Sequence, residues 1–278
     1  MKYNKLLLII INFTWGIGLK GLLIPGDAVS MACSYSGIAD SKSVMVNPAN
    51  IISQKSSSVS ASLNKWLGEI RGNTVFHYWE KNYFYINSYE VNDIELWGNI
   101  PGSEPIDNIS MRWLTLAYGY GINFKKKYSL GMELKGVYSR LYTDTSRGFV
   151  GNLGVIYHLN NKFQFGAVAK NFGFIDSDLD EEFPSEIGFG LAYKFYIPLQ
   201  FKLDLIKSKS VDMIIRSSVD FDLKFLTLTC GISQYDSNQY ISGGFKLDYR
   251  QWSISYGILT QEIASLGTPY SIQLTMYY

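Results

Sequence analysis

Apolar and polar side chains alternate with a period of two along most of this chain. Between Leu114 and Phe124, the residues Leu116, Tyr118, Tyr120 and Ile122 are separated by Thr115, Ala117, Gly119, Gly121 and Asn123. The next run places Tyr128, Leu130, Met132, Leu134 and Tyr138 on one face and Ser129, Gly131, Glu133, Lys135 and Ser139 on the other. The pattern returns over 187–195, 199–205, 252–258 and 270–278. Successive side chains of a strand point to opposite faces, so each run predicts a strand with one apolar face and one polar or small face. About fourteen such strands are predicted, at 58–66, 72–79, 83–90, 112–124, 128–141, 148–158, 162–170, 186–196, 199–206, 211–221, 224–233, 239–249, 251–259 and 269–278.

In a sandwich the apolar face turns inward, whereas in a membrane barrel it turns outward to lipid and the polar face lines the lumen. Two features choose the barrel. Many runs reach the roughly 9–11 residues that a tilted strand needs to cross a bilayer. The connections also alternate in length, as outer-membrane barrels do. Short turns at 80–82, 125–127, 160–161, 197–198, 222–224 and 250–251 alternate with longer polar stretches at 91–111, 142–147, 171–185, 208–210, 234–239 and 260–269. Aromatic residues bracket the short turns, among them Trp79, Tyr83, Phe124, Tyr128, Tyr157 and Phe163. Such rings favour the headgroup level of a bilayer. The expected fold is therefore all-β: a transmembrane, antiparallel, up-and-down β-barrel of about 14 strands.

Composition narrows the class further. Charged residues are 18% and aromatics 15% of the 278 residues, with a net charge of +1. That balance excludes a nucleic-acid binder, which needs a strongly basic face, and it is too apolar for a disordered chain. Lys2 and Lys5 precede the apolar run from Leu6 to Ile11, and Gly16 and Gly18 follow, which is the order of a secretory signal. The expected organisation is a signal peptide at 1–20, a non-alternating N-terminal hatch segment at 21–55 and the barrel at 56–278. Cys33 and Cys230 are read as two small buried residues.

The N-terminal segment carries "GIADSKSVMVNPA" over 37–49. Later stretches read "YGINFKKKYSLGMELK", "VAKNFGF", "FPSEIGFGLAYKF" and "LDLIKS". In their order and spacing these resemble the PorV/PorQ family of outer-membrane barrels associated with type IX secretion, a family similar in turn to the FadL family of hydrophobic-compound transporters. Ser41 departs from the pattern, since a second acidic residue is common there. The resemblance implies that the N-terminal segment folds into the lumen as a hatch or plug, with Asp40, Asn47 and Pro48 as hatch or gating residues.

Little points to chemistry. His77 and His158 are the two histidines. No metal-ligand spacing appears, and Gly119-Tyr120-Gly121 lacks the strand-turn-helix context of a phosphate loop. No catalytic residue, metal or cofactor is expected, and the chain is read as a non-enzyme. Glu133, Lys135, Lys194, Lys202, Asp204, Lys246 and Asp248 are expected to face the lumen, with both signs interspersed, as a solvated and salt-bridged interior. The resemblance implies an accessory or docking role in type IX-like protein secretion, with secretion components or exported cargo held by extracellular loops. The alternative is FadL-like transport of hydrophobic small molecules. Both place the protein in the bacterial outer membrane, in contact with its lipid.

Overall fold

The computed structural model describes residues 19–24, 26–40, 42–54, 56–97, 105–125, 127–178, 182–209, 213–235, 238–260 and 267–278. Most of the expected signal peptide, residues 1–18, lies outside them. Fourteen strands form one closed barrel: β1 Ser58–Lys65, β2 Arg71–Trp79, β3 Asn82–Leu96, β4 Asp107–Phe124, β5 Tyr128–Leu141, β6 Asp144–His158, β7 Phe163–Ser177, β8 Glu186–Lys194, β9 Leu199–Ser208, β10 Ile214–Asp222, β11 Leu226–Tyr235, β12 Asn238–Tyr249, β13 Trp252–Thr260 and β14 Tyr270–Tyr277. Each pairs antiparallel with its neighbours in sequence, and β1 pairs with β14 to close the cylinder. Closure removes the unpaired edges that a bilayer cannot satisfy.

The alternation has the predicted orientation. On β4 the outward positions Leu114, Leu116, Tyr118, Tyr120, Ile122 and Phe124 are exposed, while Trp113 and Ala117 are buried. On β5 Met132 and Leu134 are exposed, and Glu133 and Lys135, which alternate with them, are 4% and 7% exposed. An oily exterior around a charged interior inverts the soluble arrangement, in which burying a lone charge is costly.

The strands are unequal in height. β3 to β7 span 14–18 residues, whereas the others span 8–12. Much of the sequence expected as loop at 91–111, 142–147 and 171–185 is therefore strand: β3 reaches Leu96, β4 starts at Asp107, β6 starts at Asp144 and β7 reaches Ser177. Above the apolar belt the backbone ladder continues without needing apolar side chains. The outward residues there turn polar, as at Glu90, Ser110 and Asp176, and the alternation disappears. A bulge between Val91 and Ile94, with Asp93 at φ 58°, marks the transition on β3.

Cys230 also differs from expectation. It lies on the exposed face of β11, in phase with Leu228 and Ile232, whereas Cys33 is buried.

Candidate functional site

The described residues between 19 and 54 make short turns of helix rather than strands. A 3-10 turn covers Leu19–Leu23, helix α1 covers Ala28–Ala32 and a second 3-10 turn covers Pro48–Ser53. Asp27 starts α1: its side chain accepts from the Ser30 amide at 2.7 Å and from the Ser43 hydroxyl at 2.6 Å. Asn47 starts the second turn, accepting from the Ala49 amide at 3.0 Å with Pro48 in the first helical position. A polar cap followed by proline is what begins a helix where backbone donors would otherwise be orphaned.

These turns pack against the inward face of the wall. Val44 and Ile51 form an apolar cluster with Phe76, Tyr83, Tyr85 and Ala117, and Ile38 and Val46 do so with Val168, Ile206 and Ile214. Elsewhere the backbone of the wall touches the segment directly. A Cβ added at Gly154 would overlap the Asn47 Oδ1, and one at Gly131 would overlap the Ala49 nitrogen. Gly166 and Gly190 give the same clearance to Ile38 and Ala39. Inward positions of the wall are thus glycine where the segment lies flat upon it.

The three hatch residues of the sequence analysis occupy distinct places in this contact. The Asp40 carboxylate meets Lys194 Nζ at 2.7 Å and accepts from Gln200 Nε2 at 2.8 Å, which ties it to β8 and β9. Asn47 is fully buried and donates to the Ile38 carbonyl at 2.7 Å. Pro48 rests over Gly131 and Gly154.

The seven expected lumen charges form separate groups. Glu133 accepts from Tyr83 at 2.7 Å and from Asn152 at 2.6 Å, and lies 3.3 Å from Lys135. Lys202 pairs with Asp220 at 2.7 Å, each side chain 4% exposed. Asp204 accepts from the Gly37 amide at 2.7 Å, so a wall carboxylate satisfies the backbone of the inner segment. Lys194 joins Asp40, as above. Lys246 and Asp248 pair at 2.8 Å. Burial also pushes the Asp27 carboxyl above its usual range, and the Cys33 thiol up to about 12.

Several interior groups were missed by the sequence analysis. Arg216 and Asp220 alternate with Ile215, Ser217, Val219 and Phe221 on β10, so the period of two would have placed them inward. Lys170 and Asn171 are less legible. The β6–β7 ladder shifts register between Gly151 and Leu153, and the bulged strand turns both residues to the lumen, with Asn171 at φ 59°. Lys170 then meets Glu186 at 3.1 Å, and Asn171 meets Lys135 at 3.4 Å. Tyr35, Lys135, Lys170, Glu186 and Arg216 line a cavity of about 40 Å³ beneath Leu22, Leu23 and Ile24. That is room for about three water molecules. A second cavity, of about 20 Å³, lies between Ala32 and Cys33 of the inner segment and Lys202, Asp220 and Lys246 of the wall. Among the described residues no trio of His, Cys, Asp or Glu could hold a metal ion.

No family model and no curated protein matches the chain. Solved structures do. The toluene transporter TodX of Pseudomonas putida superposes with a TM-score of 0.68 at 11% identity, over 91% of this chain and 98% of that one. The toluene transporter TbuX of Ralstonia pickettii gives 0.65 at 11% identity, over 91% and 98%. A Pseudomonas aeruginosa FadL homologue gives 0.62 at 8% identity, over 92% and 98%. At such low identity the likeness is one of fold: this chain shares the barrel architecture of FadL-type structures.

Proposed function

We propose that the chain is an outer-membrane channel for hydrophobic small molecules, with residues 21–55 as its hatch. The observation that carries this reading is the occupied lumen. A closed barrel with an apolar exterior holds its own N-terminal segment inside, against glycine seats and through exchangeable polar contacts. The superposed structures include two toluene transporters and a FadL homologue, which supports the same reading. Residues 1–20 act as the export signal, the short turns face the periplasm and the tall strands β3 to β7 face outward from the cell.

Asp40 is the hatch's ionic latch, since its carboxylate is shared by Lys194 and Gln200 and can exchange those partners for water. Asn47 and Pro48 are the pivot, because their contacts with Gly154 and Gly131 leave no free space. The buried ion pairs of the wall keep the interior ordered while the hatch shifts. Passage, not catalysis, is the activity.

A docking role in type IX-like secretion rests on the sequence resemblance to PorV/PorQ. None of the structures named above is a secretion component, so that role stands second. The deciding experiment expresses the full chain in bacteria that lack their own hydrophobic-solute channel and follows radiolabelled toluene and decanoate. Faster accumulation than in cells without the barrel is the expected result. Equal accumulation of both probes would reject the transport reading.

A further inference from the structure

On three adjacent strands the outward apolar row ends in an arginine. Above Leu114 on β4 comes Arg112, above Tyr138 on β5 comes Arg140, and above Phe149 on β6 comes Arg147. Arg112 and Arg140 are register partners, and Arg147 pairs with Tyr138, one outward step from Arg140. Directly opposed side chains have Cβ atoms about 4.5–5.5 Å apart, and diagonal neighbours are still within reach of long side chains. Three guanidiniums thus share one patch of outer wall.

Like charges placed directly opposite are destabilising unless something of opposite sign lies between them. Elsewhere on this wall such a group is present. Lys65 and Arg71 are also register partners, and both meet Glu69, at 2.8 and 3.7 Å. The arginine trio has carboxylates only at its flanks: Glu90 lies 3.8 Å from Arg112 and Asp176 lies 3.1 Å from Arg147. Among the described residues the central Arg140 meets no carboxylate; its Nε donates to the Tyr142 carbonyl at 3.0 Å. The Arg112 and Arg147 side chains are 66% and 73% exposed, so the guanidinium donors that Glu90 and Asp176 leave free face outward, where a ligand can reach them.

Height identifies that ligand. Twelve residues separate Arg112 from Phe124 and Arg140 from Tyr128 at the short-turn end. For strands tilted by the usual angle this is about 30 Å, just above an apolar band roughly 25 Å tall. A guanidinium fork matches phosphate oxygens, and the apolar rows directly below would contact acyl chains. A phosphate attached to a hydrocarbon tail meets both surfaces at once, whereas a free phosphate meets only one.

We propose that Arg112, Arg140 and Arg147 form a binding site on the outer barrel wall for the phosphorylated headgroup of an outer-leaflet lipid. This rests on the membrane placement of the proposed function but not on what the channel carries. The test reconstitutes the full chain into phosphatidylcholine vesicles containing either diphosphorylated or dephosphorylated lipid A. The protein is then extracted in mild detergent, and retained lipid is counted by native mass spectrometry. Wild type should retain the phosphorylated lipid about tenfold more than the dephosphorylated one, and Arg112→Ser/Arg140→Ser/Arg147→Ser should lose that preference. The corresponding lysine triple variant should keep part of it, and it serves if the serine variant does not form a barrel. Equal retention of the two lipids by wild type, or an undiminished preference in a folded serine variant, would overturn the proposal. Failure of wild type to insert would overturn the membrane placement as well; insertion without discrimination overturns this proposal alone.

Discussion

Ser36 of the inner segment and Ser218 of β10 bring their hydroxyl oxygens within 2.6 Å of each other across 182 residues of chain. Two residues earlier, Ser34 makes the same kind of contact, 2.6 Å, with Ser242 on β12. Both contacts are buried, so neither hydroxyl trades its partner for solvent while the segment stays in place. The inner segment is thereby registered against the wall at defined points rather than merely filling space.

The tightest of these points is Asn47 against Gly154. Gly154→Ala forces its new methyl into the Asn47 side chain and should destabilise the folded barrel by about 1–3 kcal/mol. Asn47→Ala removes the helix cap and the bond to Ile38, at a cost of about 1–3 kcal/mol. Because the first cost depends on the Asn47 side chain, the double variant should be less destabilised than the sum. Denaturant unfolding in detergent measures all three; strict additivity would mean that the two residues do not touch.

Lys202 and Asp220 form a buried pair in the lumen. Lys202→Met or Asp220→Leu alone leaves an uncompensated buried charge and should cost about 3–5 kcal/mol, whereas the double substitution should recover most of the loss. Thermal unfolding monitored by gel mobility would reveal a failure to recover.

How much of this was legible in the sequence follows from where the period of two holds and where it fails. Strands inside the apolar belt were readable because each outward residue must be apolar and each inward one need not be, as at Met132 and Glu133. The upper parts of β3 to β7 were not, since Glu90 and Ser110 satisfy the same backbone ladder without contacting lipid. Lys170 and Asn171 escaped because a bulge interrupts the period of two. The glycine seats were visible as small inward residues, but only tertiary packing distinguishes Gly154, which meets Asn47 of the inner segment, from Gly119, which meets Tyr83 of the wall itself. Arg112 and Arg140 lie 28 residues apart, and only the β4–β5 register makes them neighbours.

The two cysteines should differ in reactivity. In detergent, a small maleimide that partitions into the micelle should modify Cys230, on the outer face, first. Cys33 should stay unmodified until the barrel is unfolded, because it is buried and its thiol is held in the protonated form. Mass spectrometry of labelled peptides checks this; equal early labelling would place the inner segment outside the lumen.

Asp27 gives the segment a pH dependence of predictable sign. Its carboxyl is raised by burial above the unfolded value, so the folded state favours the protonated form. The stabilisation is fully present below the usual carboxylate range and is lost as pH rises through the raised value. Hydrogen exchange over residues 26–54, corrected for intrinsic rates, should therefore be slower on the acid side. Asp27→Asn keeps the cap acceptor and should flatten that difference; an unchanged profile would assign the effect to another group.

The most direct measurement locks the segment to the wall. In a cysteine-free background, Ser36→Cys with Ser218→Cys places two sulfurs where two hydroxyls already meet, and the oxidising periplasm should join them. Toluene accumulation in cells should then be no faster than without the barrel, and should return when the bond is reduced. Uptake that proceeds equally with the disulfide intact would contradict a hatch that must move for solute to pass.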